Sequence, residues 1–495
     1  MRTFATGLLI VLLAGCNRSE PAKLPSAGTT VRAETAGTVP QLRRDGRWMV
    51  DEKQRVVLLH GVNGVWKLAP YFPPEVAAGF VAADADWLRD HGFNTVRLGV
   101  IFAGVMPAPG VIDSAYLDGV DRVVQLLASR GIWVMLDFHQ DMYSERYEGE
   151  GFPAWAVNDD GIPHLNDFGF PGNYFTPECS RAFDNFWANT DGLWDHYRDA
   201  WKAVAAKWKD QPYLMGYDLI NEPWPGTDLA SCANPFGCPL HDDRKLQALQ
   251  SHVLAGIRTV DTNNIVWFEP NLVFNSGAKT GLGLLTPLND ANLGFSWHKY
   301  CLPAALLHAQ GFTDVPACTQ YHQIVSDNAE EAIARMGATT LITEFGASED
   351  IPDLVQVVTQ ADAQLTGWQY WHYKGWMDPT SEDPTGGAQS LFTDDDLNSA
   401  KREKLLVLER TYPQSTAGIP LSLSFNTASA EFNYRYTPRT ATGPTEIYVP
   451  VALHYPNGYA LEVSGAKVLS AENATRAILE NSAGSAEVRV RITRR

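Results

Sequence analysis

Leu214-Met215-Gly216-Tyr217-Asp218-Leu219-Ile220-Asn221-Glu222-Pro223 is a largely apolar run with little alternation, closed by an amide, a carboxylate and a proline. Lack of alternation predicts a strand buried on both faces, as in parallel sheets, and the proline marks its end. An ionised glutamate next to apolar neighbours is costly unless it emerges where polar partners can reach it, so Glu222 is expected at a strand mouth. On either side the period changes: Leu193–Lys209 and Arg244–Val260 carry apolar residues at helical spacing.

The same unit recurs along the chain. Strand-like runs occupy Val56–Val62, Thr95–Val100, Ile132–His139, Leu214–Glu222, Ile265–Pro270, Leu293–Tyr300, Thr340–Phe345 and Gly367–Tyr373. Helical patterns at Pro74–His91, Ser114–Arg130, Tyr321–Met336 and Ile351–Leu365 join others between them, with a last one centred near Leu405. The poorest link is Asn271–Asn292, rich in Gly and Leu with little periodicity. Eight strand–helix alternations predict an α/β fold, a (β/α)8 TIM barrel, over residues 41–413. An open doubly wound sheet is disfavoured because no Gly-x-Gly-x-x-Gly follows an early strand.

After Tyr412-Pro413 the runs shorten and alternate: Leu421–Phe425, Glu431–Tyr436, Glu446–Leu453, Ala460–Val463 and Glu487–Ile492, with Pro456-Asn457-Gly458 as a turn. Residues 414–495 therefore predict a small antiparallel β-sandwich. Binding carbohydrate or membrane is open to it; packing on the barrel is the default expectation. Two units suit 495 residues, beyond the size at which one core stops growing.

A formal charge of −18 argues against nucleic acid and against electrostatic docking on anionic lipid. Fifteen Trp and eighteen Tyr offer faces for sugar rings, though core packing uses them equally well. At the N-terminus Arg2 precedes the apolar run Leu8–Leu13, too short to span a bilayer. Leu13-Ala14-Gly15-Cys16 resembles a bacterial lipobox, so residues 1–16 are expected to be a lipoprotein signal peptide with Cys16 lipidated, and residues 17–40 a flexible tether. The expected location is the cell envelope, membrane-anchored or secreted. In an oxidising compartment Cys232 can pair with Cys238 and Cys301 with Cys318, leaving Cys179. No compact Cys/His cluster suggests a metal.

In a barrel of this kind chemistry sits at the C-terminal strand ends. Those ends carry Arg97; Asp137, His139 and Asp141; Asn221 and Glu222; Glu269; His298 and Tyr300; Glu344; and Trp371 with Lys374. Two carboxylates, Glu222 and Glu344, emerge from apolar strands on opposite sides, the requirement for an acid and a nucleophile in glycoside cleavage.

Asn221-Glu222-Pro223 and, three strands later, Thr343-Glu344-Phe345-Gly346 resemble glycoside hydrolase family 5. That resemblance implies Glu222 as acid/base, Glu344 as nucleophile and Asn221 as holder of the sugar 2-hydroxyl. It further implies Arg97 and Tyr300 as partners of the nucleophile, His139 and His298 as substrate contacts and Trp371 as a sugar platform. Glu269 matches no family catalytic position and is read as a support residue. Finer similarity is to the endoglycoceramidase-related branch, which removes glycans from glycosphingolipids. It is carried by Leu136–Asp141 with Tyr143, Gly151-Phe152-Pro153-Ala154-Trp155, Gly216–Gly226, Trp368–Tyr373 and Tyr455-Pro456-Asn457-Gly458-Tyr459. In that branch Asp141 and Lys67 are candidates to hold sugar hydroxyls. Lys67 lies in Trp66–Pro74, whose apolar residues could line a lipid groove or simply pack as a rim. The implied activity is a retaining endo-type β-glycosidase on glycolipids, working as a monomer without cofactor or metal. The alternatives are a β-glucanase, cellulase-type enzyme or simple β-glucosidase on non-lipid glycosides, and a non-catalytic carbohydrate-binding lipoprotein.

Overall fold

The computed structural model describes residues 39–301, 318–381 and 385–495. The expected signal peptide, Cys16 and the tether up to residue 38 lie outside the described residues.

Eight parallel strands close into a barrel: β1 (His60–Gly64), β2 (Thr95–Val100), β3 (Trp133–Phe138), β4 (Leu214–Asp218), β5 (Val266–Phe268), β6 (Leu293–Lys299), β7 (Thr339–Phe345) and β8 (Trp368–Tyr370). Closure is by β8 on β1, with Trp368 opposite His60 and Tyr370 opposite Val62. Every residue of these strands is buried, which is why they read as continuous runs. Helices with local stop and start signals surround them. Asp113 caps Ser114–Ala128 by accepting from the Ala115 and Tyr116 amides, and Thr176 caps Pro177–Trp187 with proline in its first turn. Between β5 and β6 there is no long helix, only a short 3-10 turn at Leu272–Ser276, in line with the aperiodic sequence there.

Two strands are irregular at telling places. Against β3, the register of β4 shifts between Leu214 and Gly216. Gly216 has φ +128°, and a Cβ there would lie 1.9 Å from the Ile265 carbonyl oxygen, so only glycine fits. Against β6, β7 shifts between Ile342 and Glu344. Bulges of this kind re-aim the residues that follow, here the strand ends that carry Glu222 and Glu344.

The C-terminal unit consists of two antiparallel sheets. One has four strands, in the order Gly418–Phe425, Phe432–Pro438, Val488–Arg494, Tyr459–Ser464. The other has seven, and it corrects the expected boundary. Arg43–Asp45, Trp48–Val50 and Val56–Val57, assigned above to the barrel, precede Tyr412–Thr416, Thr445–Tyr448, Arg476–Asn481 and Ala466–Val468 in that sheet. Val56 and Val57 face Thr416 and Ser415, so the run Val56–Val62 is split between two sheets. An apolar run shows burial but not which partner buries it. Glu446–Leu453 likewise divides into a strand, Thr445–Tyr448, and a helical turn, Val451–His454.

The sandwich packs on the N-terminal side of the barrel. His60, at the start of β1, stacks between Trp368 and Tyr412 at 4.3 and 3.8 Å. Tyr412 donates to the Gly92 carbonyl and Tyr448 to that of Asp90, and buried Arg410 pairs with Asp362. The strand mouths are thus left to the loops. Cys232 is bonded to Cys238 and Cys301 to Cys318, while Cys179 is a buried thiol. No helix among the described residues is long and apolar enough to cross a membrane.

Candidate active site

Glu344 is the last residue but one of β7, and Glu222 lies four residues past the end of β4. His298, on β6, stands between them: its Nδ1 lies 2.8 Å from Oε1 of Glu222 and 3.5 Å from Oε2 of Glu344. One oxygen of each carboxyl group and the His298 nitrogen all fall within 4.8 Å of one another.

The two glutamates have different surroundings. Glu344 accepts from Nη1 of Arg97 at 2.6 Å and from the Tyr300 hydroxyl at 2.8 Å. Arg97 is fully buried and is fixed from all sides by Asp218 (2.9 Å), Asp137 (3.0 Å) and Asn221 (2.9 Å). Burial works against its charge, but Asp137, Asp218, Glu344 and Glu269 outweigh that, so its pKa is raised and the guanidinium stays charged. A fixed cation thus stands against one oxygen of Glu344.

Among the described residues the Glu222 carboxyl receives a neutral donor, the Asn275 amide at 2.9 Å, and the His298 contact. Burial, and then repulsion by Asp141, pushes its carboxyl up to about 7, with His139, Arg97 and Lys67 pulling the other way. His298 is itself driven down to about 3 by burial and is therefore neutral. A carboxyl with a raised proton affinity and one held by a guanidinium thus face each other across one imidazole.

Beside this pair lies a second buried polar cluster. Lys67 Nζ is 2.6 Å from Asp141 Oδ2 and 3.3 Å from Asp378 Oδ1, and it sits 4.7 Å over the Trp371 ring. His139 stacks on Trp371 at 5.2 Å and its Nδ1 lies 2.7 Å from Asp137. Burial opposes the charge of His139, but Asp137 and Asp141 raise it to about 10. Asp141 is held well below the usual carboxylate range because Lys67 and His139 overcome its burial. Glu150, fully buried, has no hydrogen-bond partner for either oxygen among the described residues; burial raises its pKa and keeps it uncharged.

All the expected site residues, Arg97, His139, Asp141, Asn221, Glu222, His298, Tyr300, Glu344, Trp371 and Lys67, join these two neighbouring clusters. The Lys67 loop packs as a rim: Phe72 lies against Tyr116 at 5.9 Å, and Tyr71 donates to Glu145. Not foreseen were Asn275, Gln140, Glu150, Asp378 and Thr380, whose hydroxyl accepts from Lys67 and donates to Asp141 at 3.0 Å. Asn275 sits in the aperiodic stretch after β5, and Asp378 and Thr380 in the loop after β8, where no pattern points inward. Gln140 was in view within Leu136–Asp141 without a role. As for metals, His139, Asp141 and Glu150 have ligand atoms within 4.8 Å of one another, but the Lys67 ammonium already sits on Asp141 and would repel a divalent ion. Cys301 and Cys318, near Asp353, are spent in their disulfide.

Residues 50–375 match Cellulase (glycosyl hydrolase family 5), and residues 410–493 match the glycoside hydrolase family 5 C-terminal domain. The chain belongs to glycoside hydrolase family 5. Within family 5 its similarity is to the endoglycoceramidase branch. It is 39% identical over 464 residues to endoglycoceramidase I of Rhodococcus hoagii, covering 93% of this chain and 89% of that one. Two structures of endo-glycoceramidase II from Rhodococcus sp., one a lactosyl-enzyme intermediate and one a ganglioside GM3 complex, each superpose with a TM-score of 0.74 at 28% identity, over 90% of this chain and 99% of theirs. Family 5 membership accounts for the polar residues gathered at one end of an otherwise apolar barrel.

Proposed function

We propose that this family 5 chain is a retaining β-glycosidase that hydrolyses the bond between glycan and lipid aglycone in glycosphingolipids by double displacement. The observation that carries the chemistry is the carboxyl pair, with oxygens within 4.8 Å and, among the described residues, a guanidinium against one of the two only. Retaining enzymes hold their carboxyls about 5–5.5 Å apart, whereas inverting ones need about 6.5–9.5 Å to admit a water.

Protonated Glu222 donates to the departing aglycone oxygen as Glu344, ionised beside Arg97, attacks the anomeric carbon and forms a glycosyl ester. The aglycone leaves as an alcohol. Water then gives a proton to Glu222, now a carboxylate, and displaces Glu344, releasing the sugar with its original anomeric configuration. Asn221 holds the 2-hydroxyl, Trp371 supplies the platform, and His139, Asp141 and Lys67 bind glycone hydroxyls. A lipid aglycone is supported by the endoglycoceramidase relatives and by exposed Phe168, Phe175, Phe236, Leu240 and Met377 on loops following β3, β4 and β8.

The test is a panel of glucosyl-, galactosyl-, lactosyl- and ganglioside-type ceramides beside cello-oligosaccharides and aryl glycosides, with the first-formed anomer read by NMR. Release of intact glycan from the ceramides with retention is expected. Activity confined to cello-oligosaccharides overturns the lipid substrate, and an inverted product overturns the mechanism. The reading extends to the cell envelope: a monomer anchored through lipidated Cys16. Incorporation of labelled fatty acid that Cys16→Ser abolishes is the expected result.

A further inference from the structure

Glu222 occupies a backbone conformation that its own chemistry disfavours. Its φ is +41°, the left-handed region that Cβ-bearing residues avoid, and it precedes Pro223, whose ring pushes the preceding residue toward extended backbone. Such a conformation persists only where the surroundings hold it. The Glu222 amide donates to Oε1 of Glu269 at 2.8 Å, and the Glu222 carbonyl accepts from Nε2 of Gln140 at 3.1 Å. Glu269 is 1% exposed, and its own carbonyl accepts from Gln250 of the helix Ala248–Arg258 at 2.8 Å. Its other oxygen, Oε2, lies 3.5 Å from Nη2 of Arg97, and Oε1 lies 3.7 Å from Nε2 of His298.

A charge alone could reach Arg97 from many places, and Arg97 already has Asp137, Asp218 and Glu344 within 3.0 Å. What no other side chain among the described residues supplies is an acceptor for the Glu222 amide. We infer that Glu269 is a positioning residue: by receiving that amide it fixes the left-handed turn that aims the Glu222 carboxyl at the leaving-group oxygen, while its second oxygen ties the turn to the guanidinium serving the nucleophile. This rests on the reading of Glu222 as the acid. Burial and the neighbouring Asp218 keep the Glu269 carboxyl largely protonated, with Arg97 opposing, so a neutral acceptor suffices for the role.

Because an acid matters only where the leaving group needs a proton, leaving-group dependence is the readout. In Glu269→Ala and Glu269→Asp, which remove or withdraw the acceptor, kcat/KM is expected to fall about 30-fold on a ceramide or alkyl glycoside but no more than about 3-fold on the matching dinitrophenyl glycoside. Glu269→Gln keeps a carbonyl oxygen for the amide and should stay within about 5-fold of the parent on both. Equal losses on the two substrates in either folded variant, or no loss on the ceramide glycoside, overturn the proposal. Failure of Gln to rescue does so as well. Glu222→Ala on the same pair separates the premises: if it loses equally on both, Glu222 is not the acid, whereas a selective loss there without one at Glu269 sinks only the role of Glu269.

Discussion

At the end of β7, Glu344 meets a buried guanidinium and a phenol; at the end of β4, Glu222 meets an amide and a neutral imidazole. Both are glutamates on strands that carry a register shift, although Glu344 is still within its strand and Glu222 lies four residues past its own. The larger difference is the neighbour that balances or refuses a negative charge, and it divides one side chain type into a nucleophile and an acid. Arg97 stands 2.6 Å from Glu344 and touches Glu222 only at a distance, so the asymmetry comes from where one cation is placed.

Exchanging the roles is the strongest attempt to break this comparison. Glu344→Ala is expected to lose on the order of 10⁴-fold or more in kcat on every substrate. Azide added to it should give the α-glycosyl azide from β-glycosides carrying a good leaving group. Glu222→Ala should lose on the order of 10²–10⁴-fold on ceramide glycosides, with dinitrophenyl glycosides spared in kcat/KM, and azide should yield the β-anomer. Azide products of the same anomer from both variants would mean the two glutamates are not divided as described.

Removing the cation tests the same contrast through stability. Arg97→Met leaves Asp137, Asp218 and Glu344 buried together without their counter-ion, and a loss of about 3–5 kcal/mol is expected in denaturant unfolding at neutral pH. Protonating the orphaned carboxylates relieves it, so the deficit should shrink as pH falls toward 4. A deficit independent of pH would mean that Arg97 contributes packing rather than charge.

The surroundings of Glu222 should also show in how stability follows pH. Glu222 has a folded value of about 7, raised above the ordinary carboxylate of the unfolded chain. Below the unfolded value both states hold the proton and nothing is lost; as pH rises through the folded value, ionisation increasingly penalises the native state. Glu222→Gln should therefore be more stable than the parent in denaturant unfolding at pH 8, by on the order of 3 kcal/mol, and equally stable at pH 4. In activity, the alkaline limb of kcat/KM should fall near pH 7 and be absent with dinitrophenyl substrates.

The sequence made this contrast only half visible. Runs such as Thr95–Val100 and Trp133–Phe138 stood out because both faces of a barrel strand are buried, and the strand ends then located Arg97, Glu222 and Glu344. Residues 43–57 were misplaced because the charged stretch Arg43–Arg55 shows no strand period and the apolar run from Val56 carries no mark of the sheet that will cover it. Asn275, the donor that sets Glu222 apart, was invisible for another reason. It arrives on a 3-10 turn at Leu272–Ser276, inside a stretch with neither helical nor strand period, and its position depends on where Tyr321 and the β5 end fix that turn. The charge states of the two glutamates were equally hidden, because they depend on distances between residues far apart in the chain.

Asn275 gives the finest test. Its Nδ2 donates to Oε1 of Glu222 at 2.9 Å, and a donor to a carboxylate favours the ionised form. Asn275→Ala should therefore move the alkaline limb of kcat/KM upward, by about half to one pH unit, leaving the acid with its proton more of the time. Maximal kcat should nevertheless fall, by roughly 3- to 10-fold, because the same bond orients the carboxyl and because a weaker acid gives up its proton less readily to the leaving oxygen. Asn275→Asp separates the two effects: a second carboxylate at that distance repels the Glu222 anion, so its limb should rise further than that of the alanine variant. If the limb instead moves down in both, Asn275 favours the protonated form, and burial and Asp141 are not the whole cause of the raised Glu222 carboxyl.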